Sequence, residues 1–273
     1  MGQDKEPKAV REFFKKRFSH PLSQGLDIDS PEAVRVHSRI IRENRLLNDY
    51  YRFVYAYFKK TEETLSGLDL PSLEIGSGGG FLKEFLPAVI TSDVVLSEGI
   101  DRVENAVALS FGDRSLKAIY ANGVIHHLKD PGRCLAEVQR VLAPGGKFVC
   151  NEPSSTLFGY FMNKVFHHEY TDRRAPDWKR EAAEGERRLT EANMAAPYII
   201  FKRDAGLFKE RFPNLRIASI VYHDFLRYTL SGGLSFRPFV PPALFGAVNA
   251  VEAISKPLMS VLGNEMLVTI QKI

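Results

Sequence analysis

Cysteine is scarce in this chain, with two residues in 273, Cys134 and Cys150. Each falls inside an apolar stretch. That excludes a disulfide scaffold and fits a reducing compartment. Charge of one sign is not in excess either. Lys and Arg number 37 against 33 Asp and Glu, a net +4, and nothing in the order of residues gathers the basic ones onto one face, as nucleic-acid binding requires. No nucleic-acid partner is expected. Long hydrophobic runs are missing. The longest uncharged run near the C-terminus, 238–251, has 14 residues and contains Pro238, Pro241 and Pro242. That is too short to span a bilayer. Residues 1–16 are charged and lack the apolar core of a secretory signal, so a cytoplasmic location is expected. No repeat or low-complexity tract appears.

What is present is ordinary for a soluble globular protein, at 44% hydrophobic and 26% charged residues. The length suffices for one large α/β domain with insertions or for two small ones. One stretch stands apart, Leu73-Glu74-Ile75-Gly76-Ser77-Gly78-Gly79-Gly80. An apolar strand runs there into a turn rich in the one residue that leaves its backbone bare to a ligand. Phe81, Leu82, Phe85 and Leu86 follow at the spacing of one helical face, so the unit reads as strand, glycine turn and helix. Two ligand classes use such a unit. A dinucleotide site wants G-x-G-x-x-G, but Phe81 stands at the third glycine position. Glu74, two residues before Gly76, would repel a pyrophosphate and suits a cationic amino group.

The rest alternates strand and helix. Residues 32–60 read as helix with a break near Asn48. Residues 72–77 are the first strand and 89–95 the second, with Asp93 near its end at the place where an acidic residue takes ribose hydroxyls. Asp101 competes for that role. A weak third strand covers 103–109, with Asn105 and Ala106 inside it. The fourth runs over 116–124, and Asp130-Pro131 is an N-cap with proline at the first helical position. Residues 143–146 stop that helix before a fifth strand, 147–152. Strands follow at 215–222 and 265–273, separated by insertions at 153–213 and 224–263. Strand–helix alternation predicts a parallel sheet with helices on both faces, whose ligands lie beyond the carboxyl ends of the strands.

The E-x-G-x-G-x-G run of Glu74, Gly76, Gly78 and Gly80 resembles motif I of class I S-adenosylmethionine-dependent methyltransferases. The run from Asn122 to His127, then a helix, then Leu142-Ala143-Pro144-Gly145-Gly146-Lys147 resembles motifs IV to VI of the same family. Together they cover roughly residues 70–152. The resemblance implies a doubly wound, mostly parallel seven-stranded sheet with helical insertions. It implies an N-terminal helical cap over 1–70 and a methyltransferase domain over 71–273. It implies S-adenosylmethionine as cofactor, with Glu74 toward its amino group, Gly76, Ser77, Gly78, Gly80 and Phe81 beside the methionine portion, and Asp93 on the ribose. Asn105 and Ala106 fall to the adenine, although the family has an aspartate where this chain has Asn105. Asn122 and His127 line the pocket.

The expected activity is methyl transfer to a small-molecule or saccharide acceptor, with oxygen the preferred nucleophile. The alternative is a non-catalytic, methyltransferase-like subunit that holds cofactor or partner. An oxygen acceptor needs its proton removed. Candidate bases are His126, His127, Glu152, His167, His168 and His223, of which His127, His167 and His168 are singled out. His167-His168-Glu169 lacks the H-E-x-x-H spacing that sets two imidazoles on one helical face, so no metal is expected. The sequence leaves the oligomeric state open.

Overall fold

A computed structural model describes residues 17–27, 30–166, 170–180 and 193–273. Seven strands form one sheet: β1 (Ser72–Ile75), β2 (Ile90–Asp93), β3 (Arg102–Val103), β4 (Leu116–Asn122), β5 (Leu142–Pro153), β6 (Leu215–His223) and β7 (Glu265–Lys272). Their order is β3-β2-β1-β4-β5-β7-β6. The first five are parallel, and β7 runs antiparallel to both neighbours. This is the doubly wound, mostly parallel sheet that the alternation predicts. The strand order reverses between β1 and β4, which opens a crevice above their carboxyl ends.

Among the helices are, in chain order, α1 (Pro31–Glu43), α2 (Arg45–Glu63), α3 (Pro131–Val141), α4 (Leu157–Phe166), α5 (Ala205–Arg211), α6 (Phe245–Ser255) and α7 (Met259–Leu262); further short turns of helix lie at Ala196–Tyr198 and Arg227–Ser231. The N-terminal helix breaks at Asn44, four residues before the expected point. Asn44 closes α1 and its side-chain oxygen accepts from Leu47 N to open α2. Its amide also donates to Ser231 O, so one residue ends a helix, starts another and ties both to a later segment. Asp130 caps α3 by accepting from Arg133 N, with Pro131 at the first helical position, as expected.

The helix expected after the glycine turn is absent. Only a single 3-10 turn, Leu82–Glu84, stands there, because just 14 residues, 76–89, join β1 to β2. The covering role passes to α2, whose Val54, Tyr55 and Phe58 share one buried cluster with Phe81, Ala118, Tyr120 and Val149. The third strand is also shorter and earlier than expected, two residues at Arg102–Val103. The 143–146 segment does not precede β5 but bulges from it. Leu142 pairs with Leu116 and Lys147 with Ala118, leaving four residues looped out.

The first insertion is only partly an addition. Trp178, Ile199, Ile200, Phe201, Phe208 and Phe212 lie in the main core cluster with Leu135, Ile119 and Phe148. Its second half therefore supplies the layer that a β5-to-β6 crossover must provide in any such sheet.

Close packing fixes α1 on the glycine turn. A Cβ built on Gly79 would stand 2.5 Å from Ser38 N and 2.9 Å from Val34 O, both backbone atoms of α1. Gly79→Ala is therefore expected to force α1 off the turn and to cost about 1–3 kcal/mol in urea denaturation. Gly206→Ala is the control. It lies in α5 with open space around it and should gain up to about 1 kcal/mol from helix propensity.

Candidate functional site

The carboxyl end of β1 carries the turn. Gly76 and Gly78 have φ of +64° and +48°, a region costly for any residue with a Cβ. The space beside Gly78 is open, since the nearest atom a Cβ would meet is Gly76 O at 4.0 Å. Ser77 N donates to Ser92 O and Gly80 N to Ser77 O. Asp93, at the end of β2, accepts from Gly78 N at 2.9 Å through one carboxylate oxygen and from Val95 N at 3.3 Å through the other. The competing Asp101 is engaged elsewhere: its carboxylate pairs with Lys83 and accepts from Thr91 N. Of the two acidic residues, Asp93 is thus the one bonded to the turn.

Glu74 lies at the centre of this geometry. It is 2% exposed, and its Oε2 has no hydrogen-bond partner among the described residues. Burial pushes its carboxyl up to about 7; the Ser77 hydroxyl opposes that shift and the Asp93 charge adds to it. A cleft is lined by Glu74, Ser77, Gly78, Phe81, Gly99 and Arg42, among others. Arg42 is bound by Glu84 at 2.8 Å and stacks over Phe81. A buried carboxylate with an empty acceptor site requires a compensating donor, best a cationic one. The turn, Asp93 and Glu74 together fit a ligand that carries an ammonium group.

The adenine positions separate. Asn105 is exposed, with its side-chain oxygen accepting from Val107 N at 3.1 Å. Ala106 is buried in the main core cluster. Asn122, at the end of β4, accepts from Asn151 Nδ2 at 2.9 Å. His127 closes a 3-10 turn, Ile125–His127, with its ring 4.0 Å from that of His126. His167 and His168 lie outside the described residues.

Glu152 proves to be spoken for. It is fully buried, and its carboxylate accepts from Val124 N, Ile125 N and His126 N at 3.0, 2.7 and 3.3 Å. His126 Nδ1 adds a fourth contact at 2.7 Å. Three backbone donors around one carboxylate make Nδ1 the protonated nitrogen of that ring. The group fixes the turn after β4 and is not available as a base.

A second polar cluster was not legible from local motifs. Asn151 on β5 donates to Tyr50 OH at 2.7 Å, and its oxygen meets His223 Nε2 at 2.6 Å. Glu265, which opens β7, bonds Tyr50 and Asn151. Burial first, then Asp224 and Glu152, raise the Glu265 carboxyl well above the ordinary range. Burial and then Arg227 lower His223 to about 3. In the sequence, Tyr50 and Tyr51 read only as apolar positions of a helix. Yet burial, then Glu74, then Glu265 raise the Tyr51 phenol, which sets Tyr51 between the two clusters. The ends of β4, β5, β6 and β7 thus supply one polar wall, next to the turn that ends β1.

Residues 73–150 match a family described as "Methyltransferase domain". A demethylmenaquinone methyltransferase of Renibacterium salmoninarum is 38% identical over 72 residues, 26% of this chain, and the chain spans only 30% of that relative's length. Among solved structures, a geranyl diphosphate C-methyltransferase of Streptomyces coelicolor aligns over 97% of this chain and 98% of its own, at 13% identity and a TM-score of 0.44. A possible histamine N-methyltransferase of Thermotoga maritima aligns over 87% and 99%, at 16% identity and a TM-score of 0.48. Residues 73–150 of this chain thus match the methyltransferase-domain family, and the ordered motifs and the strand order agree with that match.

Proposed function

We propose that this chain is an S-adenosylmethionine-dependent methyltransferase acting on a small-molecule or saccharide acceptor through oxygen. The observation that carries the reading is the buried Oε2 of Glu74, beside the glycine turn and without a hydrogen-bond partner among the described residues. A carboxylate so placed fits the amino group of the cofactor, and Asp93 fits its ribose. Asn122 and His127 lie at and just after the end of β4, on the same side of the sheet.

When bound, S-adenosylmethionine supplies a methyl group already activated on a sulfonium. The chain's own residues have three tasks: to hold the donor, align the acceptor and keep water out. The cover of α1 and α2 over the turn serves the last. On the acceptor side, His223 stays uncharged at neutral pH, and its Nε2–H is engaged by Asn151. An imidazole held that low is a poor base for an acceptor hydroxyl. Glu265, half-buried beside Asn151 and with its carboxyl raised well above the ordinary range, borders the same wall.

The test is calorimetric titration of the cofactor, followed by incubation with radiolabelled donor and fractionated cell extract. The expected outcome is donor binding and a labelled low-molecular-weight product. Absence of donor binding would overturn the reading. Tight binding with no transfer across broad acceptor panels would favour the non-catalytic subunit.

A further inference from the structure

Asp224 directly follows β6 and has a φ of +60°, a left-handed backbone that Asp and Asn adopt more readily than most side chains. Its carbonyl oxygen accepts from Asn264 N at 2.8 Å, one step beyond the His223–Glu265 pair of the β6–β7 ladder. Its side chain is 3% exposed. Oδ2 accepts from Tyr228 N at 3.0 Å, but Oδ1 has no hydrogen-bond partner among the described residues. Burial, then Glu252, push this carboxyl up to about 7, and Arg227 opposes them.

The neighbouring charges leave that oxygen open. Glu252 of α6 is satisfied, accepting from the backbone N–H groups of Phe225, Leu226 and Arg227. Glu265 has Tyr50 and Asn151. The guanidinium of Arg227 donates to Asp49 O at 3.4 Å and lies 5.8 Å over the Phe53 ring, and it forms no ion pair with Asp224. Aromatic rings gather at the same place. Tyr50 is 5.0 Å from Tyr228 and 5.5 Å from Tyr51, and His223 meets Tyr50 at 6.2 Å and Phe53 at 4.9 Å. The Tyr50 phenol feels both Glu265 and Asp224, so rings and carboxyls form one cluster.

This cluster adjoins the donor end. Asn151 donates to Asn122 at the end of β4, and Tyr51 feels both Glu74 and Glu265. Among the described residues no group of three His, Cys, Asp or Glu is placed to hold a metal ion. A neutral hydroxyl could bond Oδ1 but would leave its buried charge uncompensated. A cation answers both needs, because the carboxylates supply opposite charge and ring faces attract it as well.

We infer that the methyl acceptor carries an ammonium group, received by Asp224 Oδ1 and Glu265 against the rings of Tyr50 and Tyr228. The inference rests on the methyltransferase reading above and names the substrate class within it: amino alcohols, aminophenols and amino sugars, in preference to their neutral counterparts.

The test is calorimetry at pH 8 on the full chain loaded with S-adenosylhomocysteine, titrated with tyramine and with glucosamine, each against its neutral counterpart, tyrosol or glucose. At least one amine is expected to bind, at least about tenfold tighter than its neutral counterpart. D224N should erase that preference, and E265Q should reduce it several-fold. Asparagine keeps the shape of the side chain and accepts the left-handed backbone, and retained S-adenosylhomocysteine binding shows that each variant is folded. In a second arm, cell extract is separated on a cation exchanger and each pool is incubated with radiolabelled donor; a labelled product is expected from the retained pool. Neutral compounds that bind as tightly as the amines, no binding by either amine, or a labelled product from the unretained pool alone would overturn the inference. So would D224N that binds amines like the parent, since the carboxyl would then be one that stays protonated. A chain that binds no S-adenosylhomocysteine overturns the methyltransferase reading and this inference with it, whereas one that binds it without preferring amines overturns the inference alone.

Discussion

Replacing Glu74 by glutamine is expected to weaken cofactor binding at least about thirtyfold while making the empty protein more stable above neutral pH. The first effect follows from removing the buried partner of a cationic group, which costs about 2 kcal/mol or more. The second follows from the raised carboxyl. Its value is about 7 in the folded chain, against an unfolded value near 4.5. Below the unfolded value the carboxyl is protonated in both states and costs nothing. As pH rises toward 7 the unfolded chain ionises freely and the folded one resists, so stability is lost across that window. Above pH 7 the parent carries a penalty of up to about 3 kcal/mol that glutamine does not. Thermal unfolding from pH 4.5 to 8 should show the two proteins diverging upward through this window, with the variant the more stable. A carboxylate whose purpose was to hold the fold together would give the opposite order. Stabilisation joined to lost binding is the signature of a group kept for a ligand.

Replacing Glu152 by alanine should be far more damaging to the fold. It would strand the N–H groups of Val124, Ile125 and His126 and the ring nitrogen of His126, all around a fully buried side chain. Each orphaned buried donor costs roughly 1–3 kcal/mol. The total expected is about 4 kcal/mol or more, a large share of the roughly 5–15 kcal/mol that holds a typical domain folded. Glutamine retains one acceptor oxygen and should recover part of the loss. Urea titration of the parent, Glu152→Gln and Glu152→Ala forms should give midpoints falling in that order. Equal midpoints would show that the turn after β4 is held by something else.

The sequence carried the sheet because strands buried on both faces read as apolar runs, and glycine and proline mark their ends. It pointed to Glu74 because a carboxylate two residues before a glycine turn has few other uses, and the structure buries that carboxylate beside the turn. Two things escaped it. The missing helix after Gly80 was hidden by Phe81, Leu82, Phe85 and Leu86, whose helical spacing served a single 3-10 turn packed beneath α2. Spacing records which residues face inward and says little about how many turns the chain makes. The second polar cluster escaped for a different reason. Tyr50, Asn151, His223 and Glu265 are far apart in sequence and meet only because β5, β7 and β6 are neighbours. Asn105 adds a local feature that the motif position did not announce: its side-chain oxygen accepts from Val107 N and closes a turn.

The most direct measurement is a crystal structure of the full chain with S-adenosylhomocysteine. The account predicts the ligand's amino group within hydrogen-bond reach of Glu74 Oε2, its ribose on Asp93, and its backbone-facing side against Gly78. A ligand bound elsewhere with Glu74 still unpaired, or a nicotinamide nucleotide found across the turn, would contradict it.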